Sequence, residues 1–312
     1  MRTKSQFPKL KNKAVLSPMA GVTDVAFRAL SRKYGTALTY TEFVSGTAIV
    51  RGNGDFLKIQ TDPAEKPVAV QLFGSNVEDV IEAAKQMEDR FDIIDVNCGC
   101  PAWKVIKTGA GSEMLKKPEG ISNFINKLAT AVNKPVTVKI RTGIDDGSIN
   151  AVEVAKIIED SGAAAIAIHG RTQKQGYTGT ADWEIIRKVK EAVNIPVIGN
   201  GDVFTPETFK QRLEASNVDA IMIARGAVGN PYIFTQINDF LEKGTYDQGN
   251  RIEHFFEYLE LAIKYKVPFH FIQTHAMSFT KTMEGGAAIR NALSRCKTTE
   301  ELANTLKPQI AV

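Results

Sequence analysis

The chain has 312 residues, of which 43% are hydrophobic and 24% are charged, a balance typical of a globular protein with one large domain or a large and a small one. No apolar run approaches the roughly 18 residues of a membrane span, and the basic start MRTKSQFPKLKNK has no apolar stretch behind it, which argues against a transmembrane protein and a secretory signal. We expect a cytoplasmic protein, whose formal net charge of +4 permits nucleic-acid binding without requiring it.

Eight segments with the composition of β-strands alternate with helical patterns. Several are apolar throughout, as expected for parallel strands covered on both faces. Thr23 or Asp24, Asn76 and Thr205 stand where helix N-caps are expected. Eight such units favour a closed TIM barrel over an open doubly wound sheet, whose GxGxxG turn the sequence lacks. The predicted strands are AVLSP (14–18), ALTYTEF (37–43), PVAVQLF (67–73), IIDVN (93–97), PVTVKI (135–140), AAIAIH (164–169), IPVIGN (195–200) and DAIMIA (219–224).

The strand pattern stops after ARGAVGNPYIF, and the rest of the sequence is helical. The helical segments RIEHFFEYLELAIKYK, FHFIQTHAMSFTKTM, AAIRNALSRCK and TTEELANTL are separated by turn signals such as Pro268 and an EGG break. We therefore predict an α/β TIM barrel over residues 1–240, followed by a small domain of three or four helices over 241–312.

Polar or cationic residues follow nearly every predicted strand. The C-terminal ends of barrel strands meet at the active-site mouth, which makes these residues candidates for the site. The GNGD and ARG segments lie where barrels commonly bind a phosphate through backbone N–H groups, although such glycines can also serve only to make tight turns. The strand-end candidates include Pro18, Met19, Ala20, Gln71, Asn97, Cys100, Lys139, Arg141, His169, Arg171, Asn200, Gly201, Asp202, Ala224, Arg225 and Gly226.

Gln71 and Lys139 end two apolar strands and need polar partners if they face the mouth. A flavin would supply them, because an amide can bind the ring edge and an ammonium can stabilise negative charge on the reduced ring. For Lys139, an ion pair with Glu42 and a Schiff-base role are the alternatives. His169, the only histidine of the predicted barrel, is expected to contact a ligand. Four histidines without clustered carboxylates argue against a catalytic metal.

The three cysteines, Cys98, Cys100 and Cys296, are too few and too oddly spaced for a disulfide framework, so we expect free thiols. Pro101 fixes the loop at Cys100, which we take as the functional thiol, whereas Cys98 lies nearer the strand end and is expected to pack. The residues alone leave open whether Cys100 is a nucleophile, an acid or base, or a packing residue. Its pKa would fall beside a lysine such as Lys104, Lys107 or Lys139.

Seven motifs occur in order along the barrel: SPMAGVTDVAFR, VQLFGSN, DVNCGCPAWKVIKTGAGSEML, PVTVKIRTG, HGRTQKQGYTGTADW, PVIGNGD and MIARGAVGNPYIF. Together they resemble the tRNA-dihydrouridine synthase family, from about Val15 to Phe234. The resemblance continues more loosely into HAMSFTKTMEGGAAIR in the helical part. As a set, these motifs are highly specific.

The resemblance implies a flavin enzyme that reduces the bond between carbons 5 and 6 of particular uridines in tRNA. Reduced FMN would give a hydride from N5 to carbon 6, Cys100 would protonate carbon 5, and NADPH would be the reductant. Cys98 departs from the family's usual residue at its position. Asn97, Arg141 and Arg171 would address the uracil or its phosphate. The residues implied for FMN are Pro18, Met19, Ala20, Gln71, Lys139, His169, Asn200, Gly201, Asp202, Ala224, Arg225 and Gly226.

Six basic residues and one acidic residue lie between positions 264 and 297, which indicates that the helical domain contacts tRNA phosphates, with Lys281 and Arg290 among the expected contacts. We expect a monomer. Two other functions stay open: a dihydroorotate dehydrogenase-like flavin enzyme acting on a free pyrimidine, and an RNA-binding protein built on an idle barrel. A small substrate does not need a basic helical domain, and the joint presence of Cys100, Lys139 and His169 argues against an idle barrel.

Overall fold

The computed structural model describes residues 6–54 and 56–310, and within them the chain forms nine β-strands and thirteen α-helices. Residues 1–5 and 311–312 lie outside the described residues. The first five belong to the segment in which we expect no secretory signal, and the last two belong to the predicted helical domain. The strands are β1 (Ala14–Leu16), β2 (Thr39–Tyr40), β3 (Val44–Ser45), β4 (Val68–Phe73), β5 (Ile93–Cys98), β6 (Val136–Arg141), β7 (Ala165–His169), β8 (Val197–Asn200) and β9 (Ala220–Ile223).

Helices connect successive strands and then continue alone to the end of the chain. Three short 3₁₀ helices cover Pro63–Glu65, Gly111–Lys116 and Lys307–Gln309. None of the helices formed by the described residues is both long and apolar enough to cross a bilayer. The α-helices are α1 (Val25–Lys33), α2 (Gly46–Val50), α3 (Val77–Met87), α4 (Trp103–Ile106), α5 (Pro118–Ala131), α6 (Ala151–Asp160), α7 (Trp183–Ala192), α8 (Pro206–Ser216), α9 (Ile233–Lys243), α10 (Arg251–Lys264), α11 (Phe269–Phe279), α12 (Gly286–Arg295) and α13 (Thr299–Leu306).

The strands form a closed ring in which every ladder is parallel. Hydrogen-bonded neighbours follow the order β1-β9-β8-β7-β6-β5-β4-β2, and the short β3 also pairs with β4. The ring closes beside β1, where Leu16 N–H donates to Leu38 O at 3.0 Å and Ala37 N–H donates to Ala14 O at 2.8 Å. The predicted TIM barrel is therefore confirmed.

The second predicted strand, 37–43, is shorter in the structure, where only β2 (Thr39–Tyr40) lies within it and β3 (Val44–Ser45) begins just after its predicted end. The interruption lies at Glu42, whose carboxylate accepts a hydrogen bond from Gly21 N–H at 2.9 Å. Thr41 Oγ1 donates to the backbone carbonyl of Glu42 at 2.8 Å. Such side-chain bonds to the backbone compete with a regular ladder, and here they also tie the end of the second strand to the loop after β1.

Three helices begin at the residues expected to cap them. The side chain of Asp24 accepts from Phe27 N–H at 3.0 Å, Asn76 caps α3, and Thr205 caps α8. Each cap satisfies an N–H group that has no partner inside the helix, and contributes about 1 kcal/mol to stability.

The interior of the barrel is apolar at the end where the strands begin. Val15, Tyr40 and Ile93 are buried there, and Phe7 and Leu10 of the N-terminal segment pack against this cluster. The N-terminal segment thus covers this end of the barrel. A cavity opens at the other end of the barrel, where the strands finish.

A hydrogen-bonded polar layer lies nearer the end where the strands finish. The fully buried carboxylate of Asp95 accepts from Gln71 Nε2 at 2.7 Å and from the hydroxyl of Thr137. Gln71 Oε1 accepts in turn from Asn97 Nδ2 at 2.8 Å. Asp95 can reach both partners because it is in register with Gln71 in β4 and with Thr137 in β6. Since Asp95 acts as the acceptor, the amide of Gln71 is held in one orientation.

Four helices, α10 to α13, form the C-terminal part of the described chain, as predicted. The hydroxyl of Tyr258 on α10 donates to Asp24 Oδ2 at 3.1 Å. His275 Nε2 on α11 lies 3.2 Å from the same carboxylate oxygen and 3.1 Å from Val22 O. These buried contacts hold the helical part against the first helix of the barrel and against the loop that follows β1.

The domain boundary predicted after residue 240 falls inside α9. This helix continues to Lys243 and ends at Gly244, which adopts the left-handed conformation with a φ of 76°. Glycine suits this position because it has no Cβ to strain there. The helix therefore ends a few residues beyond the predicted boundary, and the division into two domains stays a prediction.

We expect the stability of the protein to depend on pH through Asp95. Burial raises the pKa of this carboxyl from 3.8 to about 7, although hydrogen bonds from Thr137 and Gln71 oppose the rise. The folded state then holds the proton more tightly than the unfolded chain, so Asp95 favours folding most at low pH and loses this contribution as the pH rises to about 7. Urea unfolding of the wild type and of Asp95→Asn should give free energies whose difference changes in that direction and levels off above it. A difference independent of pH would contradict the assignment.

Candidate active site

A cavity of about 570 Å³ opens at the end of the barrel where the strands finish. Concave sites of this size, with a few convergent polar groups, are typical of ligand pockets. Three predicted site residues, Arg171, Lys281 and Arg290, do not line the cavity. The predicted residues that do line it are Pro18, Met19, Ala20, Gln71, Asn97, Cys100, Lys139, Arg141, His169, Asn200, Gly201, Asp202, Ala224, Arg225 and Gly226.

The sequence reasoning missed several residues of the site, among them three aromatic side chains and one carboxylate beneath the cavity. Phe43, Tyr177 and Phe204 line the cavity, and Asp95 lies under it in the polar layer. Phe43 is the last residue of the second predicted strand and Phe204 lies close after the seventh, so the rule of strand ends signalled both. Tyr177 lies within the quoted motif HGRTQKQGYTGTADW. The signal for Asp95 was a carboxylate inside an otherwise apolar strand.

The loop after β5 is fixed so that Cys100 lines the cavity. Asn97 Oδ1 accepts from two backbone N–H groups of the loop, one of them Cys100 N–H at 2.8 Å. The carbonyl of Cys100 accepts from the backbone N–H of Ser112 at 3.1 Å and from its hydroxyl at 2.9 Å. Because Asn97 also donates to Gln71, a continuous chain of hydrogen bonds connects this loop to the buried Asp95.

The two thiols of this loop lie in different environments. Cys98 is fully buried, with its Sγ 3.6 Å from Met114 Sδ, as expected for a packing residue. Cys100 is half-buried, and burial raises its pKa above 9.0 against the opposing charges of Arg141 and Lys139. Lys139 does act to lower the pKa of this thiol, as a neighbouring lysine should, but desolvation outweighs it and the net shift is upward. Cys100 is therefore protonated at neutral pH.

Lys139 and His169 carry shifted pKa values in the same cavity. Burial lowers the pKa of Lys139 to about 8, and the nearby charge of Arg141 adds to the shift. Its Nζ lies 3.5 Å from Asn200 Oδ1, while Glu42, its alternative partner, accepts from a backbone N–H. Burial lowers the pKa of His169 to about 2, helped by the surrounding cations. The imidazole is thus neutral at neutral pH while the lysine is mostly charged.

One corner of the cavity is bounded by two glycines whose place no larger residue can take. Gly201 has a φ of 141°, and a Cβ there would lie 2.4 Å from the Cβ of Ala181. A Cβ on Gly226 would lie 2.2 Å from Val203 O. The packing of the protein itself therefore requires glycine at both positions, and both residues line the cavity in the region where other barrels bind phosphate.

Asp202 organises two arginines at the same corner. Its carboxylate accepts from Arg171 Nη1 and Nη2 at 2.9 Å and 2.7 Å, from Arg225 Nη2 at 2.8 Å, and from Ala181 N–H at 2.8 Å. Burial alone would raise the pKa of Asp202, but the Arg171 hydrogen bonds and the two positive charges bring it below its ordinary value. Two arginines against one carboxylate leave a net positive charge, which favours an anionic ligand.

The position of Arg171 corrects the expectation that this residue addresses the substrate. Its side chain is 2% exposed. Beyond the bonds to Asp202, Nε donates to Thr178 O at 2.9 Å, Nη2 donates to Gly179 O at 2.6 Å, and Nη1 lies 3.5 Å from His169 Nε2. The guanidinium is therefore fully occupied by the protein. Arg225, by contrast, lines the cavity, with its guanidinium carbon 5.3 Å from the ring centre of Tyr177.

Lys281 and Arg290 lie on the helical part, outside the cavity. Lys281 is exposed just beyond α11, and Arg290 on α12 donates from Nη1 to Thr280 O at 2.9 Å. The helical part nevertheless borders the cavity, because Phe271 on α11 lies against Gly21 in the loop after β1. Among the described residues, no group of three or more histidine, cysteine or acidic side chains could hold a metal ion.

The sequence matches a family model and has closely similar relatives. The model described as dihydrouridine synthase matches residues 15–312. The chain is 36% identical to the probable tRNA-dihydrouridine synthase 1 of Synechocystis sp. over 310 residues, which cover 97% of this chain and 87% of that protein. It is 42% identical to tRNA-dihydrouridine synthase B of Shewanella oneidensis over 238 residues, which cover 76% of this chain and 74% of that protein.

Two solved structures of low sequence identity share the barrel fold. A variant of NCR from Zymomonas mobilis matches with a TM-score of 0.54 at 17% identity, over 78% of this chain and 91% of that one. Histamine dehydrogenase from Rhizobium sp. 4-9 matches with a TM-score of 0.55 at 14% identity over 81% of this chain, which spans about half of that enzyme, 49% of its chain. The extent of the family match and the identity to these relatives establish that the chain belongs to the dihydrouridine synthase family.

Proposed function

We propose that this protein is a flavin-dependent tRNA-dihydrouridine synthase, which adds a hydride and a proton across the C5–C6 double bond of uridines in tRNA. The observation that carries the proposal is the meeting of a protonated thiol, a lysine and a glycine-lined cationic corner in one cavity. Membership of the family supports the reaction, because the similar proteins are named for it.

The side chains around the cavity fit a flavin, and FMN in particular. Gln71 keeps one N–H group and one lone pair beyond its two internal hydrogen bonds, so its amide can still bind the edge of a ring. Lys139 supplies a positive charge, and His169 is a neutral donor or acceptor. The corner at Gly201 and Arg225 suits a phosphate. A bound reduced flavin would supply the hydride for the reaction.

Cys100 is the proposed proton donor. Burial keeps its thiol protonated at neutral pH, as a general acid must be before the transfer. The charges of Arg141 and Lys139 oppose the rise of its pKa, and they would stabilise the thiolate left after the proton has moved to carbon 5 of the uracil. The thiolate would then be reprotonated from solvent.

Arg141 is the better candidate for a direct contact with the uracil or its phosphate. Its Nε and Nη1 donate to the carbonyls of Gly99, Thr172 and Gly176, and no partner among the described residues binds Nη2. Asn97 uses most of its amide on the Cys100 loop and on Gln71, which leaves it one N–H group. An enzyme that acts on a base takes it out of the stack, and both residues line the cavity that would receive it.

The C-terminal helices are the proposed tRNA-binding domain, which would span residues 241–312 as predicted or begin at the structural break at Gly244. Lys281 and Arg290 are its proposed phosphate contacts. The contacts of α11 with the loop after β1 support a position of this domain beside the cavity. A free pyrimidine would not need such a domain, which disfavours the dihydroorotate dehydrogenase-like alternative. NADPH as the reductant, a cytoplasmic location and a monomeric state rest on the family resemblance or on the sequence, and stay predictions.

We expect the purified protein to be yellow and to release FMN on denaturation. Arg225→Met should weaken FMN binding about 10- to 100-fold, because a charge-assisted hydrogen bond to the phosphate is lost. Affinity for riboflavin, which lacks the phosphate, should change little. Fluorescence titration of the flavin-free protein with both ligands measures this. A colourless protein that cannot be reconstituted would contradict the flavin, and equal losses for both ligands would contradict the placement of the phosphate.

Cys100→Ala should lower single-turnover reduction of tRNA by about 100- to 10,000-fold, the usual contribution of a general acid. The variant should retain its flavin, because the sulfur is not needed to hold the cofactor. Cys98→Ala is the matched control, since it removes a thiol of the same loop that packs away from the cavity. Equal rates for the wild type and Cys100→Ala would remove this thiol from the reaction.

Lys281→Gln should raise the KM for tRNA and leave kcat nearly unchanged. Loss of one phosphate contact should also reduce by about one the slope of log affinity against log salt concentration. Binding measured at several salt concentrations tests this, with Lys11→Gln as a control for the same change in net charge at the opposite end of the barrel. An unchanged slope for Lys281→Gln would exclude the contact.

A further inference from the structure

Trp103 is the most exposed large hydrophobic side chain among the described residues, with 72% of its surface open to solvent. The other tryptophan of the chain, Trp183, is buried and donates from Nε1 to Gly201 O at 3.0 Å. A single exposed apolar residue is ordinary on a protein surface. Trp103 differs from such a residue because it lies at the rim of the cavity and has positively charged neighbours.

Trp103 stands directly behind the wall of the cavity. Pro101 and Ala102 line the cavity, and Trp103 begins α4 immediately after them. The short helix is anchored by Val105, which is buried, and by the hydrogen bond from Lys107 N–H to Trp103 O at 3.1 Å. The indole is therefore carried on a fixed segment at the rim of the cavity, three residues beyond the thiol.

The residues around Trp103 on this rim are cationic. Lys104 and Lys107 are both exposed, and neither forms a salt bridge with a carboxylate among the described residues. Lysine pairs with phosphate as a point charge, and an exposed indole offers a flat face to a base. An exposed aromatic ring beside two exposed ammonium groups matches single-stranded nucleic acid better than it matches an apolar protein surface.

The order of strands places this rim across the cavity from the helical domain. The α11 helix contacts Val22 in the loop after β1, and Gly229 after β9 lies against Ser278. In the closed ring β1 and β9 are neighbours, and the position opposite their junction falls between β5 and β6. Trp103 follows β5, so an RNA bound to the helical domain must cross the cavity to reach it.

We propose that Trp103, Lys104 and Lys107 form a second tRNA contact, in which the indole stacks on an unpaired base next to the reduced uridine and the lysines bind adjacent phosphates. This inference rests on the proposed function. A uridine that leaves the stack deprives its neighbour of a stacking partner. An aromatic platform at the far rim replaces that partner and holds the strand across the opening, while the helical domain holds the other side.

Steady-state reduction of tRNA by the flavin-loaded enzyme tests the proposal. Trp103→Ala should raise the KM for tRNA about tenfold, with kcat much less affected, because one base-stacking contact is lost. Trp103→Phe should recover most of the loss, since it keeps an aromatic face. The double variant Lys104→Gln, Lys107→Gln should reduce the salt slope of binding by about two, whereas Lys11→Gln, Lys13→Gln at the opposite end of the barrel should not.

Tryptophan emission gives a readout that does not depend on turnover. Titration with tRNA should quench the emission of the wild type and of a Trp183→Phe variant, and should quench Trp103→Phe far less. If the Trp103 variants had the same KM and the same quenching as the wild type, the proposal would be overturned. A protein partner would then be the better candidate to bind this rim. If Trp103→Ala lost flavin and kcat to the same extent, the proposal would also be overturned, because the residue would then be needed for the fold and not for binding of tRNA. A wild type that reduces no tRNA would overturn the proposed function instead.

Discussion

The closure of the ring of strands beside β1 is the constraint on which the rest of this structure depends. Backbone hydrogen bonds between Leu16 and Leu38 and between Ala37 and Ala14 complete a cylinder in which every ladder is parallel. All strands therefore finish at the same end, and side chains that are far apart in the chain meet there. The N-terminal segment covers the other end of the barrel with apolar side chains.

Exclusion of water decides the chemistry of the cavity more than its charges do. Burial is the largest cause of the raised pKa of Cys100 and of the lowered pKa values of Lys139 and His169. The result at neutral pH is a protonated thiol, a mostly charged lysine and a neutral imidazole. The polar layer under the cavity supports this arrangement, because it connects the buried Asp95 through Gln71 and Asn97 to the backbone of the Cys100 loop. A site built in this way can give up one proton and accommodate an anionic ligand.

The surroundings of the cavity extend this chemistry to a large substrate. The helical domain packs on the loop after β1 through His275, and the rim that follows β5 carries Trp103 on the other side. A polynucleotide that spans both would be held across the opening, and its extruded base would enter between them. The active site would then act on a base whose neighbours are bound outside the barrel, as expected of an enzyme that works on an RNA of defined shape.

The sequence by itself determined the barrel, three of its helix starts, the helical C-terminal part and most of the residues that line the cavity. These follow from local patterns, and in a parallel barrel the end of a strand already names the face on which a residue lies. Only the tertiary structure decided that the guanidinium of Arg171 pairs with the carboxylate of Asp202, 31 residues away. It also decided that Asp95 orients the amide of Gln71 and that the pKa of Cys100 rises. Such outcomes depend on distances between remote segments and on the exclusion of water, and neither exists before the ring has closed.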